Sequence, residues 1–153
     1  MFARLIFTAV NFAARNGLTE DSASAKSQSR TTGIRGETYA YWYLRRHGYT
    51  LVARNYTVPG IKGEIDMIGY DGQALAFVEV KTRSSSIAES TPEDAVTADK
   101  RRNLSRMARQ FLRSRRIDSA NCRFDVLAIE SRAGKKPVVR LHKSAFGMAP
   151  TSP

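Results

Sequence analysis

Two alternating runs, Gly63-Glu64-Ile65-Asp66-Met67-Ile68 and Ala74-Leu75-Ala76-Phe77-Val78-Glu79-Val80-Lys81, flank Gly69-Tyr70-Asp71-Gly72-Gln73. Alternation signals strands, and an Asp-Gly step between strands closes a β-hairpin. Residues two apart on a strand face the same side. Glu64 and Asp66 therefore share one side, with Ile65 and Met67 on the other. On the second strand Phe77, Glu79 and Lys81 lie opposite Ala76, Val78 and Val80. Closing the hairpin brings Asp66 and Glu79 together with Lys81 beside them. Facing carboxylates repel, and a half-buried charge is costly unless compensated. A divalent cation compensates both, leaving Lys81 for a water or a phosphate oxygen. That is the chemistry of metal-dependent phosphodiester hydrolysis. The plainer reading is a solvated strand face with a Glu–Lys ion pair, worth only ~0.3 kcal/mol. The apolar opposite faces favour a covered hairpin, where such a charged cluster is expensive.

The chain has 153 residues, enough for one compact domain, and 42% are hydrophobic, so a core can form. Its formal net charge of +11 favours a polyanionic partner through counterion release, above all nucleic acid. Cys122 is the only cysteine, which excludes an internal disulfide and a cysteine-based zinc site. Residues 1–32 read as a flexible extension: an apolar segment to Ala14, with Phe2, Leu5, Ile6, Ala9 and Phe12 on one helical face, then a Ser/Ala/Thr-rich linker. Arg4 and Ala23-Ser24-Ala25 imitate a secretory signal, but Asn11 and Arg15 break the apolar run far from that site. A cytoplasmic location is expected. No stretch approaches the roughly 20 apolar residues of a spanning helix. An interfacial anchor formed by the first residues is the remaining alternative.

Residues 33–147 read as the folded domain and 148–153 as a disordered tail. A helix carries Glu37, Ala40, Tyr41 and Leu44 on one stripe and stops at Gly48. A strand over 49–58, a Pro59-Gly60 turn and the hairpin strands over 63–70 and 74–82 follow. Ser84 to Ser90 is a polar loop. Thr91-Pro92-Glu93-Asp94 opens a short helix, and Thr97 caps a longer one reaching about Arg116. Strands over 123–130 and 138–142, separated by a turn over 134–137, complete an α-β-β-β-α-β order with a terminal strand.

Glu37 shares its stripe with Ala40 and Leu44, which turns it towards the sheet and the acids there, although a helix N-terminus also favours an acid. The second helix keeps Leu104, Met107, Ala108, Phe111 and Leu112 on one face. Its other faces hold Lys100, Arg101, Arg102, Arg106, Arg109, Arg113, Arg115 and Arg116, with Asp99 and Asp118 only at the ends. Solvated faces mix signs, so this one suits a phosphate backbone. Tyr39, Tyr41, Trp42 and Tyr43 could stack on bases, but core packing explains most of them. His47 and His142 lack ligand spacing, and no Walker, Gly-x-Ser-x-Gly or dinucleotide motif is present.

These residues resemble those of the YraN family, a branch of the PD-(D/E)XK nuclease superfamily close to the archaeal Holliday junction resolvases. The matching stretches are Gly36-Glu37, Gly48-Tyr49, Ala53-Arg54-Asn55-Tyr56, Gly63-Glu64-Ile65-Asp66, Phe77-Val78-Glu79-Val80-Lys81-Thr82-Arg83, Pro92-Glu93-Asp94-Ala95-Val96-Thr97, Lys100-Arg101-Arg102 and Arg123-Phe124-Asp125-Val126. The resemblance covers about Arg35 to Phe146. Pro59-Gly60-Ile61 and Lys143-Ser144 depart from the family pattern without touching a catalytic position.

The resemblance implies an α/β, restriction-endonuclease-like αβββαβ core, with a mixed central sheet flanked by helices. It implies Mg2+ (or Mn2+) on Asp66, Glu79 and the Val80 carbonyl, with Lys81 on the attacking water or the phosphate. Glu37 becomes a further metal or water ligand, and Glu64 a family signature more than a catalytic group. A homodimer follows only by analogy with the resolvases. The expected function is a metal-dependent nuclease-like protein acting on structured or branched DNA. The alternative is a non-catalytic nucleic-acid-binding module, with Lys100, Arg101, Arg102, Arg106 and Arg109 as its contact surface in either case.

Overall fold

Apolar residues on both faces of a strand require cover on both sides, and Ile65 to Ile68 and Leu75 to Val78 are such stretches. The computed structural model describes the backbone of residues 25–83, 96–130 and 135–150, and the side chains in those ranges from residue 36 onward except 120. Helix α1 (Ala25–Arg46) leads into β1 (Thr50–Tyr56), β2 (Ile65–Asp71) and β3 (Ala74–Arg83). Helix α2 (Ala98–Arg115) follows, then a 3-10 turn (Ser119–Asn121), β4 (Cys122–Glu130) and β5 (Val138–Phe146). The five strands form one sheet in chain order. β3 and β4 are parallel, joined across α2, and the other neighbours are antiparallel. This mixed sheet with helices on its two faces agrees with the expected restriction-endonuclease-like core.

Each helix buries one stripe. Tyr39, Ala40 and Leu44 of α1 pack on Met67, Ala76, Val78, Leu127 and Ile129. Leu104, Met107, Ala108, Phe111 and Leu112 of α2 pack on Ile68, Phe77, Phe124 and Phe146 across the sheet. Phe124 stacks on Phe146 with ring centroids 4.7 Å apart. Thr97 caps α2 by accepting the Lys100 N–H at 3.3 Å. Cys122 is half-buried beside the α2-side cluster.

Four features differ from the sequence reading. Helix α1 begins at Ala25, so the end of the supposed linker is helical backbone. The hairpin loop is shorter, because Asp71 pairs with Ala74 and only Gly72 and Gln73 lie between. Ile65 joins the α2-side cluster while Met67 joins the α1-side one, so the alternation breaks where the β2–β3 ladder ends. Finally, 148–149 are not a loose tail. The Ala149 N–H donates to the buried Ser105 Oγ at 2.9 Å, and Arg109 donates to the Ala149 carbonyl. The segment before Ala25, the 84–90 loop, the 91–94 helix start, Gly134 and residues 151–153 lie outside the described residues.

Candidate metal and phosphate site

The β2–β3 ladder runs from Asp71↔Ala74 to Met67↔Val78 and goes no further, whereas β3 stays paired with β4 as far as Arg83. Extended by one step, the register would set Asp66 opposite Glu79. Instead the Asp66 side chain enters the gap, and its Oδ2 accepts the Val80 N–H at 2.6 Å. A side chain thus replaces a missing strand partner, and the parting of β2 from β3 forms the site.

Asp66 is 9% exposed and Glu79 is 3% exposed. Lys81 Nζ lies 3.0 Å from Glu79 Oε1, as residues two apart on one strand face should. Lys100, from the first turn of α2, donates to the same oxygen. Glu79 Oε2 is buried without a hydrogen-bond partner among the described residues. Burial first, then the negative charges of Glu79 and Glu37, push the Asp66 carboxyl up to about 7, against the lowering pull of the Val80 N–H and Lys100. Burial alone would lower the Lys100 ammonium, but the Glu79 carboxylate outweighs it and holds the group above the ordinary lysine range.

Two further acids lie beside Asp66. One carboxylate oxygen from each of Glu37, Glu64 and Asp66 falls within 4.8 Å of the others. Glu37 comes from α1, and its Oε2 accepts from Asn55 Nδ2 at 3.0 Å. Asn55 has φ 48°, a left-handed conformation that asparagine tolerates better than most residues. Glu64 follows Gly63, whose φ of 100° turns the chain into β2. The Glu37, Glu64 and Asp66 oxygens are hard donors of the kind that could hold a metal cation.

Of the residues singled out in the sequence, Glu37 lies with Asp66 and Lys81 pairs with Glu79, and Asp66 accepts from Val80, the residue after Glu79. Glu64, set aside as a signature, belongs with them. Lys100, assigned to a nucleic-acid surface, points inward to Glu79; its signal was a lysine in a capped first turn, where acids are favoured. The rest of that surface divides. Arg101 Nε donates to the Val96 carbonyl and the guanidinium covers Phe146, while Arg109 holds Ala149. Arg102, Arg106, Arg113 and Arg115 are exposed. Asn55 lies in a matching stretch, but the sequence gives it no role, because that role depends on a contact with α1, 18 residues earlier.

At the other end of β2 lies a second charged cluster, closed on itself. Asp125, fully buried, accepts from Tyr49 Oη at 3.1 Å, Arg123 Nε at 2.9 Å and the Ser144 N–H at 2.9 Å. Arg123 and Lys143 both pair with Asp71 and hold its carboxyl below the usual range. Every member is answered, which marks a structural network.

A UPF0102 protein of Koribacter versatilis is 47% identical over 116 residues, covering 75% of this chain and 78% of that protein. One from Solibacter usitatus is 46% identical over 101 residues, covering 66% and 76%. One from Geobacter metallireducens is 39% identical over 121 residues, covering 79% and 96%. No helix among the described residues is long and apolar enough to cross a membrane. Residues 36–129, which include Glu37, Asp66, Glu79 and Lys81, match the model of the "Uncharacterised protein family UPF0102", and the chain belongs to that family, the PD-(D/E)XK nuclease-like YraN family.

Proposed function

We propose that this protein is a Mg2+- or Mn2+-dependent nuclease acting on structured or branched DNA. The observation that carries the reading is Glu79, buried with one oxygen on two lysines and the other without a partner among the described residues, next to a desolvated Asp66. A core that needed only stability would not keep such a group, because removing both charges is often neutral or stabilising. Asp66 and Glu79 would hold the cation, with Glu37 and Glu64 on the α1 side. Bound there, it would acidify a water and draw charge from the phosphate oxygens. Hydrolysis adds a water oxygen to phosphorus and breaks the bond to the leaving sugar oxygen, which takes up a proton. Lys81, 30% exposed at its side chain, can hold the incoming water or the phosphate charge that develops. The exposed Arg102, Arg106, Arg113 and Arg115 of α2 suit the neighbouring phosphates.

The test is incubation with supercoiled, linear, single-stranded and four-way-junction DNA, with Mg2+ or Mn2+ and with chelator. Cleavage is expected only with metal, and Asp66→Ala and Lys81→Ala are expected to abolish it. The exposed arginines also support a second reading, a non-catalytic nucleic-acid-binding module. Tight binding without cleavage, indifferent to metal and to Asp66→Ala, would decide for that module.

A further inference from the structure

Two ammonium groups converge on Glu79 Oε1, and they reach it differently. Lys81 lies on the same strand face, so its approach is fixed locally. Lys100 arrives from another element. It is the third residue after the Thr97 cap, where the positive end of the helix dipole disfavours a cation. Its ammonium is therefore placed against local preference, and the Glu79 carboxylate compensates for that. The Lys100 side chain is 37% exposed, whereas that of Glu79 is 3% exposed.

Resting on the cation-dependent reading of this site, we propose that Lys100 is the resident counter-ion of Glu79. It occupies Oε1 while no divalent cation is bound, and it swings to solvent when one binds. Lys100 is thus a positioning residue that sets the site's cation affinity. Removing this competitor leaves Glu79 free to meet a divalent cation at lower cost. Once released, the ammonium stands at the start of α2, among the arginines that face a phosphate backbone.

Calorimetric titration of Mn2+ into the full chain and its Lys100→Met variant tests this. The variant is expected to bind roughly 3- to 10-fold more tightly, and Asp66→Ala to lose binding. Unchanged or weaker binding by Lys100→Met overturns the proposal and leaves the nuclease reading intact. Absence of saturable binding by the wild type overturns both. A second measurement needs no variant at Lys100: amine acetylation of the wild type, read by mass spectrometry, with and without saturating Mn2+. Lys100 reactivity is expected to rise several-fold with the cation, and to stay constant in Asp66→Ala. Constant reactivity in the wild type at saturation refutes the displacement.

Discussion

Replacing Asp66 with asparagine is expected to stabilise the metal-free protein at alkaline pH, the reverse of the usual result for a buried hydrogen-bonded residue. Glu37 faces Asp66 from α1, Glu64 from the turn before β2, Glu79 from β3, and Lys100 from α2, while Lys81 pairs with Glu79. The carboxyl is pushed from 3.8 in the unfolded chain to about 7 in the folded one. A raised acid contributes its stability fully below the unfolded value and loses it as pH rises through the folded value. The window is therefore pH 4 to 8, with a ceiling of ~4 kcal/mol. Reorganisation around the charge brings the expected loss to ~2–3 kcal/mol. Asparagine keeps an oxygen for the Val80 N–H and carries no charge to desolvate. Urea denaturation in chelator between pH 4.5 and 8.5 reads the effect. The wild-type midpoint is expected to fall by ~1–2 M across that range, while the Asp66→Asn profile stays flatter. At pH 8, Mg2+ at about a hundred times its Kd is expected to return ~2.7 kcal/mol to the wild type and nothing to the variant. Parallel profiles, with Asp66→Asn less stable at every pH, refute the reasoning. Asp71, held low by Lys143 and Arg123, acts in the opposite sense and only as pH falls below the ordinary carboxylate range.

Other outcomes test the frame around the site. A Cβ on Gly36 would lie 2.0 Å from Thr82 Oγ1. Gly36→Ala is therefore expected to cost ~1–3 kcal/mol in thermal or urea unfolding, with part of it recovered in the double variant with Thr82→Ala. Asp125→Ala leaves the Arg123 guanidinium and the Ser144 N–H short of an acceptor and is expected to cost ~3–5 kcal/mol. Arg106→Ala and Arg113→Ala are each expected to reduce the salt slope of DNA binding by about 0.9, uniformly across sequences and with or without metal. Salt-titrated fluorescence anisotropy measures that slope.

Much of this chain can be read without coordinates. The hairpin, the Thr97 cap, the apolar stripe of α2 and the element order follow from short-range rules, because alternation, turn chemistry and capping each act within a few residues. Glu79 beside Lys81 is of that kind. Glu37 and Asp66 stand out in the sequence as charges aimed at a covered sheet. What sequence could not settle depends on where distant segments come to rest. The parting of β2 from β3 before Met67 splits Ile65 from Met67 and sends Asp66 to the Val80 N–H. The direction of Lys100 depends on how α2 crosses the sheet, and periodicity marks only its buried stripe. Arg109 and Ala149 meet because the chain end returns over α2. Local sequence thus decided which groups were available and on which face. Tertiary packing decided which of them share one desolvated space, since burial and Coulomb energy depend on distances that no short stretch of chain controls.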